Sequence, residues 1–514
     1  MTSHSKTTWK SIRSLWLSPL TLSLILMPAV QANSQEAQQP DIQQLKDKLQ
    51  RLEQSMQQLQ QLQQSIEELR AQINALETKS TLDSEVASLK AVAPPATNVK
   101  TPSAVMPLIT VSKPTPKQEP QEDAKQTSEH EIKPAPEGTF QMYGFAMLDA
   151  GYNFGQIDPN WFDVMRPTKL PAFNNEFGPS GNVFFSVRQT RWGVKTTFPT
   201  GHGDLKTIFE FELFGTGVDQ GQTTFRLRHA WGELGQIGAG QTWSPFMDPD
   251  VFPNSIEYWG PTGMVFFRNI QARWTPWRKG DSDFMIAAER PGASADGGQY
   301  AGRIELAGVT PQFTLPDISA QGRWAGEAGH LQVAGIFRKI SWADLNATPT
   351  LNIHGTVYGW GVNTSANAKF DKSDTGRFSV VYGHGIENYM NDAPIDVGVK
   401  NNFGNLTNPI TGVALPVLGI VAFDDHNWND RFSSTVGYSY ENISNSPQEL
   451  GSDFHQGHYA LANLLYYPTK NVMMGGEFQF GRRVNFADGW NYDDYKLQFS
   501  FKYNYGKTVS YAVK

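Results

Sequence analysis

From Thr139 onward the chain alternates, segment after segment, between apolar and polar side chains with a period of two, and no other feature restricts its possible folds so far. Successive side chains of a strand point to opposite faces, so this period marks strands. Phe140, Met142, Ala146 and Leu148 share one face, and Leu205, Phe209, Phe211 and Leu213 oppose Lys206, Glu210 and Glu212. Leu331, Val333 and Phe337 oppose Gln332 and Arg338, and Phe378, Val380 and Tyr382 oppose Arg377 and Ser379. Val472, Met474, Phe478 and Phe480 oppose Asn471, Glu477 and Gln479. The last clear strand sets Tyr495, Leu497, Phe499, Phe501 and Tyr503 against Lys496, Gln498, Ser500 and Lys502.

Two folds accept this pattern. A soluble protein would bury every apolar face in shared cores, usually as separate sandwiches with linkers or as a propeller with a repeat, yet the sequence shows no internal repeat and no second linker. A membrane barrel turns the apolar face to lipid and the polar face to a wet lumen. About sixteen segments of roughly 24 residues each, strand plus turn, suit the barrel, and an even number returns both ends to one side. Tyr152, Trp161, Trp243, Trp274, Trp277, Tyr466 and Tyr467 stand at segment ends, where interfacial aromatic belts are expected. The expected fold is an all-β transmembrane β-barrel of about 16 antiparallel strands over residues 138–514, preceded by an α-helical coiled coil.

Composition agrees. A hydrophobic content of 39% and a mean hydropathy of −0.43 exclude a bundle of transmembrane helices, whereas barrel strands need apolar residues only at alternate positions. The 31 Phe, 17 Tyr and 14 Trp suit interfacial girdles. A net charge of −7 over 514 residues gives no reason to expect nucleic acid. The absence of cysteine removes thiolate and disulfide chemistry and suits passage through an oxidising compartment.

The first 137 residues read differently. Lys6, Lys10 and Arg13 precede an apolar run broken by Pro19 and Pro28, and Val30-Gln31-Ala32 follows, so residues 1–32 are expected to be a cleaved secretory signal. Within 33–90, Ile42, Leu45, Leu49, Leu52, Met56 and Leu59 form a heptad seam that resumes, after a stammer, through Ile66, Leu69, Ile73 and Leu76. Such a narrow seam is buried only against partner helices, which predicts an oligomer with a periplasmic coiled coil. Residues 91–137 are rich in Pro, Lys, Glu and Thr without either period and read as a linker.

The signal, the coiled coil, the linker and a barrel of this size together resemble the DcaP-like family of Gram-negative outer-membrane porins. The stretch GELGQIGAGQTWSPFMDPDVFPNSIEYWGPTGMVFFRN, residues 232–269, is similar to that family's strand, constriction loop and following strand. The resemblance implies a homotrimer of sixteen-stranded barrels in the outer membrane and uptake of small anions, dicarboxylates especially. Two features depart from it. The chain ends Ser510-Tyr511-Ala512-Val513-Lys514 without the terminal aromatic of such barrels, and Ile at a with Leu at d in the second coiled-coil block favours two strands rather than three.

The residues expected to set selectivity are arginines. In TTFRLRHAWGEL, residues 223–234, Phe225 and Leu227 would face lipid and Arg226 and Arg228 the lumen. A guanidinium keeps its charge and holds a carboxylate with two parallel hydrogen bonds, so a lumen arginine concentrates anions and repels cations. Arg323, Arg338 and Arg377 share the inward parity. Arg188 and Arg191 differ in parity, as do Arg268 and Arg273, so both members of either pair line the pore only where a bulge intervenes. The alternative for each is ordinary lumen polarity or a rim position near lipid phosphates. Residues 244–262, SPFMDPDVFPNSIEYWGPT, are too long and too rich in Pro and aromatic residues for a turn. They are expected to fold inward and narrow the pore, with Asp248, Asp250 or Glu257 set against the arginines and Tyr258 in the same loop; the alternative is an outward surface loop. Asp248 and Asp250 alone are weak evidence for calcium, and no metal or cofactor is expected. Gly437-Tyr438-Ser439 is not completed to a nucleophile elbow, and His455 with His458 is a lone pair, so no enzyme is expected. The reading is a porin for passive diffusion of small hydrophilic, anionic solutes; the alternative is a non-conducting envelope anchor whose working part is the coiled coil.

Overall fold

The structure, a computed structural model, describes residues 137–512; the expected signal, coiled coil and linker lie outside the described residues. Sixteen antiparallel strands close into one barrel. They are β1 (Glu137–Asn153), β2 in two pieces (Asn182–Ser186 and Arg191–Thr200), β3 (Gly203–Phe214), β4 (Thr223–Leu234), β5 (Ile237–Trp243), β6 (Arg268–Lys279), β7 (Ser282–Glu289) and β8 in two pieces (Val309–Gln312 and Asp317–Gly326). They continue as β9 (Gly329–Asp344), β10 (Gly355–Lys369), β11 (Asp374–His384), β12 (Pro416–Asn429), β13 (Phe432–Ile443), β14 (Phe454–Thr469), β15 (Val472–Asn485) and β16 (Asn491–Ala512). The last strand closes on the first along its length, from Glu137 opposite Ala512 to Asn153 opposite Lys496.

The closure puts both ends of the described chain on one rim. On that rim the strands are joined by tight turns, as at Gly235-Gln236 and Gly280-Asp281, where Gly235 and Gly280 take φ of 59° and 58°. Two-residue hairpins need positive φ, which glycine adopts without steric cost. The opposite rim carries the long connections: L1 (154–181), L2 (215–222), L3 (244–267), L4 (290–308), L5 (345–354), L6 (385–415), L7 (444–453) and L8 (486–490).

The strand faces follow the alternation. Phe140, Met142 and Leu148 on β1 and Tyr495, Phe499, Phe501 and Tyr503 on β16 are exposed on the outer wall, while Asp149, Lys496, Gln498 and Ser500 are buried inside. Three of the aromatic residues expected in belts are interior instead. Trp161 packs in L1 against Trp259, Trp243 stacks with Arg268, and Tyr467 hydrogen-bonds Asn254. A segment end is also where a loop turns inward, and there an aromatic ring serves the loop rather than the interface. Tyr152, Trp274 and Trp277 do stand exposed outside.

The interior is filled mainly by L3 and L6. Phe246, Met247, Val251, Ile256, Met264 and Val265 of L3 are all buried. Six such side chains in one loop have no place on a wet rim, so the loop enters the barrel. L6 enters beside it: Phe266 donates its backbone N–H to Tyr389, and Asn391 donates to Met264. Further along, L6 forms a hairpin, Val397–Asn401 against Ile410–Ala414.

Candidate functional site

The register between β3 and β4 slips twice, and at the first slip His229 is opposite Glu210 and Leu227 opposite Phe211, leaving Arg228 as the extra residue of a bulge. The strand therefore sends Arg226, Arg228 and His229 all inward, while Phe225 is 80% exposed outside. Arg228 Nε and Nη1 donate at 2.6 Å to Glu210 and Glu212 of β3. Glu212, wholly buried, is the hub: Arg191 lies 3.3 Å away, Arg226 3.6 Å and Arg268 3.7 Å, and the Tyr258 hydroxyl of L3 donates to it. Four guanidiniums against two carboxylates leave two positive charges on this stretch of wall.

Both parity-mismatched pairs end up inside. Between Arg188 and Arg191 the strand is interrupted by a turn, with Thr190 N–H donating to Val187 O. Arg268 is the first residue of β6, where the chain leaves L3 and alternation has not begun; its guanidinium lies 4.7 Å over the Trp243 ring. Arg273 stacks 4.5 Å over Trp231 and donates to Trp243 O.

These arginines differ in what holds them. Arg188 is buried against Asp163 at 2.6 Å and Gly215 O at 3.0 Å. Arg338 is buried between Asp317 at 3.0 Å and Asp396 at 2.7 Å, and donates to Gly385 O. Both are thereby clamps on loops. Arg323 pairs with Asp248 at 3.2 Å and with Asp250, while Arg377 pairs with Asp425 and reaches Asp250 O.

Of the loop acids expected against the arginines, Asp248 and Asp250 thus meet Arg323 and Arg377 rather than Arg226 and Arg228. Asp248 accepts from His330 at 2.6 Å and Ser365 at 2.7 Å. Burial alone would raise its carboxyl, but His330, Ser365 and Arg323 outweigh that and hold it below the ordinary range. Asp248, Asp250 and His330 stand close enough to ligate a cation, yet Arg323 bridges both carboxylates and occupies that role. Glu257 is turned away from the arginines, accepting from Met165 N–H at 3.1 Å and from Gly260 N–H, and burial pushes its carboxyl upward against the opposing charge of Lys496. Tyr258 is the loop residue that reaches the arginine cluster.

A further arginine, Arg166 of L1, lies outside the alternating segments and left no signal in the sequence pattern. Its guanidinium lies 4.1 Å over Trp161 and 4.0 Å over Trp259, with Nε donating to Asp392 at 2.7 Å. Arg166, Arg226 and Arg268 line one cavity of about 320 Å³ together with Tyr258, Asn388 and Asn391. Among the described residues, the terminal nitrogens of Arg166 and Nη1 of Arg268 have no hydrogen-bond partner. A second cavity, about 610 Å³, holds Arg273, Arg278 and Arg323. Trp243 lines the second and Arg268 the first, so their stack stands between the two. The arrangement offers unpaired N–H donors and net positive charge to a solute.

A family profile described as DcaP outer membrane protein matches residues 121–505. Among solved structures, the outer membrane channel DcaP of Acinetobacter baumannii is similar over 72% of this chain and 97% of that one, at 18% identity and a TM-score of 0.59. The anion-selective porin from Comamonas acidovorans aligns over 72% of this chain and all of its own length, at 9% identity and a TM-score of 0.46. The in-vitro folded trimer form of OmpT from Vibrio cholerae aligns over 72% and 99%, at 11% identity and a TM-score of 0.43. No curated protein matches the chain.

Proposed function

Because this chain belongs to the DcaP outer membrane protein family, we propose that it is an outer-membrane porin that passes small hydrophilic solutes and prefers anions of the dicarboxylate kind. The observation that carries the reading is the convergence of Arg166, Arg226 and Arg268 on one cavity beside L3. Their charge raises the local concentration of anions and repels cations. Weak, open-sided donors suit transport, since a solute has to leave as well as enter. In this reading residues 1–32 are removed, residues 33–90 form a periplasmic coiled coil, and the working unit is a homotrimer.

A second reading has a specific observation in its favour. L1, L3 and L6 fill so much of the lumen that Arg338 and Lys496, both of inward parity, are wholly buried. A plugged barrel would serve as an anchor for the coiled coil. Single-channel recording of the full-length protein in a planar bilayer, with reversal potential under a salt gradient, decides between them. Current steps with an anion-selective reversal potential are expected. A stably inserted protein that passes no current would leave the anchor, and a cation-selective current would refute the role given to the arginines.

A further inference from the structure

A row of polar side chains crosses the outer wall of β13 to β16 near the long loops. Glu441, Tyr459, Arg483 and Asp494 are buried inside, so their neighbours Tyr440, His458, Arg482 and Asp493 point outward. The four stand side by side on successive strands: Tyr440 opposite His458, His458 opposite Arg482, and Arg482 opposite Asp493. One step nearer the loops, Asn442, Gln456 and Asn491 share the outward parity, and Gln456 donates to Asn442 at 3.0 Å.

Height decides what such a row meets. Long connections mark the external side of an outer-membrane barrel and short turns the periplasmic side. At ~3.3 Å per residue the stretch from Val472 to Arg482 covers ~33 Å, or ~25 Å along the membrane normal at a ~40° tilt, the height of the apolar band. The row therefore lies at the head-group level of the outer leaflet. Beneath it the same strands expose Val436, Tyr438, Leu464, Phe478, Tyr495 and Phe499. At the opposite edge of the wall the matching row is Phe432, Tyr466, Met474 and Phe501, which carries no charge.

The row leaves its donors open. Arg482 reaches Asp493 at 3.4 Å and Asn491 at 3.1 Å, and both acidic and basic side chains of that pair are 38% exposed. An exposed pair this long does not commit a guanidinium. The Tyr438 hydroxyl hydrogen-bonds Nδ1 of His458, which leaves Nε2 for a ligand.

We propose that this row binds a phosphorylated glycolipid of the outer leaflet, with Arg482 and His458 on its phosphate and Asp493, Asn491, Asn442 and Gln456 on its sugar hydroxyls. The planar fork of a guanidinium matches phosphate oxygens, and amides and a carboxylate accept from hydroxyls. A phosphodiester lipid without sugar would leave Asp493 and the amides unused. The acyl chains lie on the wall below, where Ala460 and Ala462 stand between the larger Tyr438 and Val436 on one side and Phe480 and Phe478 on the other. Basic and aromatic residues at this depth are the common anchors of a membrane protein to lipid head groups.

The inference rests on the outer-membrane placement and is independent of conduction and of anion preference. The full-length protein, purified folded in detergent, is titrated with diphosphoryl lipid A, and bound lipid is counted by native mass spectrometry. Arg482→Gln is expected to weaken binding about tenfold, the effect of losing one charged hydrogen-bond donor. Lys470→Gln, exposed at the short-turn end of the same wall, is expected to leave it unchanged. The shift in gel mobility on boiling verifies that each variant is folded. Equal losses in the two variants, or none in either, would overturn the site. Phosphatidylglycerol bound as tightly as lipid A would overturn the glycolipid, and displacement of lipid A by excess inorganic phosphate would reduce the row to a site for a free anion. Single-channel current through Arg482→Gln is expected to match that of the natural protein, so failure of the lipid site and failure of the channel reading are told apart.

Discussion

Two groups of arginines face the interior of this barrel, and their surroundings make opposite use of the same side chain. Arg338 lies between Asp317 and Asp396 and donates to loop carbonyls, with no exposed surface left. Arg226, on β4, has a side chain 29% exposed and a single long hydrogen bond to Tyr258 at 3.3 Å. The first spends its donors on holding L6 in place; the second keeps donors free for whatever enters the cavity. Strand parity brings an arginine inside, and the loop that meets it decides between clamp and filter.

The sharpest way to break this contrast is to remove the clamp. Arg338→Ala strands two buried carboxylates and should cost about 3–5 kcal/mol. Equilibrium unfolding and protease sensitivity of L6 would show it, and an unchanged stability would refute the clamp. Arg226→Gln and Arg268→Gln should do the reverse, leaving the fold nearly as stable and weakening selectivity. A unit charge ~4 Å away in water is worth about 1 kcal/mol, or roughly fivefold in anion over cation preference. Reversal potentials measured for Arg226→Gln, Arg268→Gln and the double variant test this, and an unshifted value in all three would remove these residues from the filter.

The smallest expected effect is at L7. Ser446 donates to the Glu449 carboxylate at 3.0 Å and to Val399 O at 2.5 Å, which ties L7 to the L6 hairpin. Burial pushes the Glu449 carboxyl up to about 7 from 4.5. A raised carboxyl means that the docked loop binds the proton more tightly than the released one. The cost of burying the charge is thus absent below about 4.5, grows as pH rises, and is complete above about 7. Hydrogen exchange in Val397–Asn401, corrected for intrinsic rate, should therefore be faster at pH 8 than at pH 5, and Glu449→Gln should flatten the difference. Identical pH profiles for the two proteins would exclude Glu449 as the titrating group.

Much of this was legible in the chain, and the limits are instructive. The period of two placed strands because alternation is a property of neighbours in sequence, and it put Arg226, Arg228, Arg323, Arg338 and Arg377 on the inner face. The length of L3 and its prolines and aromatic residues marked it as something other than a turn. L6 left a weaker trace, a stretch from 385 to 415 that fails to alternate, but nothing in that stretch said that it would lie along L3. The bulge at Arg228 and the inward turn of Trp161, Trp243 and Tyr467 were also invisible. Each depends on a partner far away in sequence: Glu210 for the bulge, Trp259 for Trp161, Arg268 for Trp243 and Asn254 for Tyr467.

By itself, then, the sequence determined the strand period, the inner and outer faces, the even closure and the heptad seam, all of which follow from spacing along the chain. Tertiary structure alone decided which inward arginines are neutralised. Glu212 and Asp396 meet their partners only when strands and loops distant in sequence are brought together, and over a few ångströms the free energy of a charge depends on what those partners are.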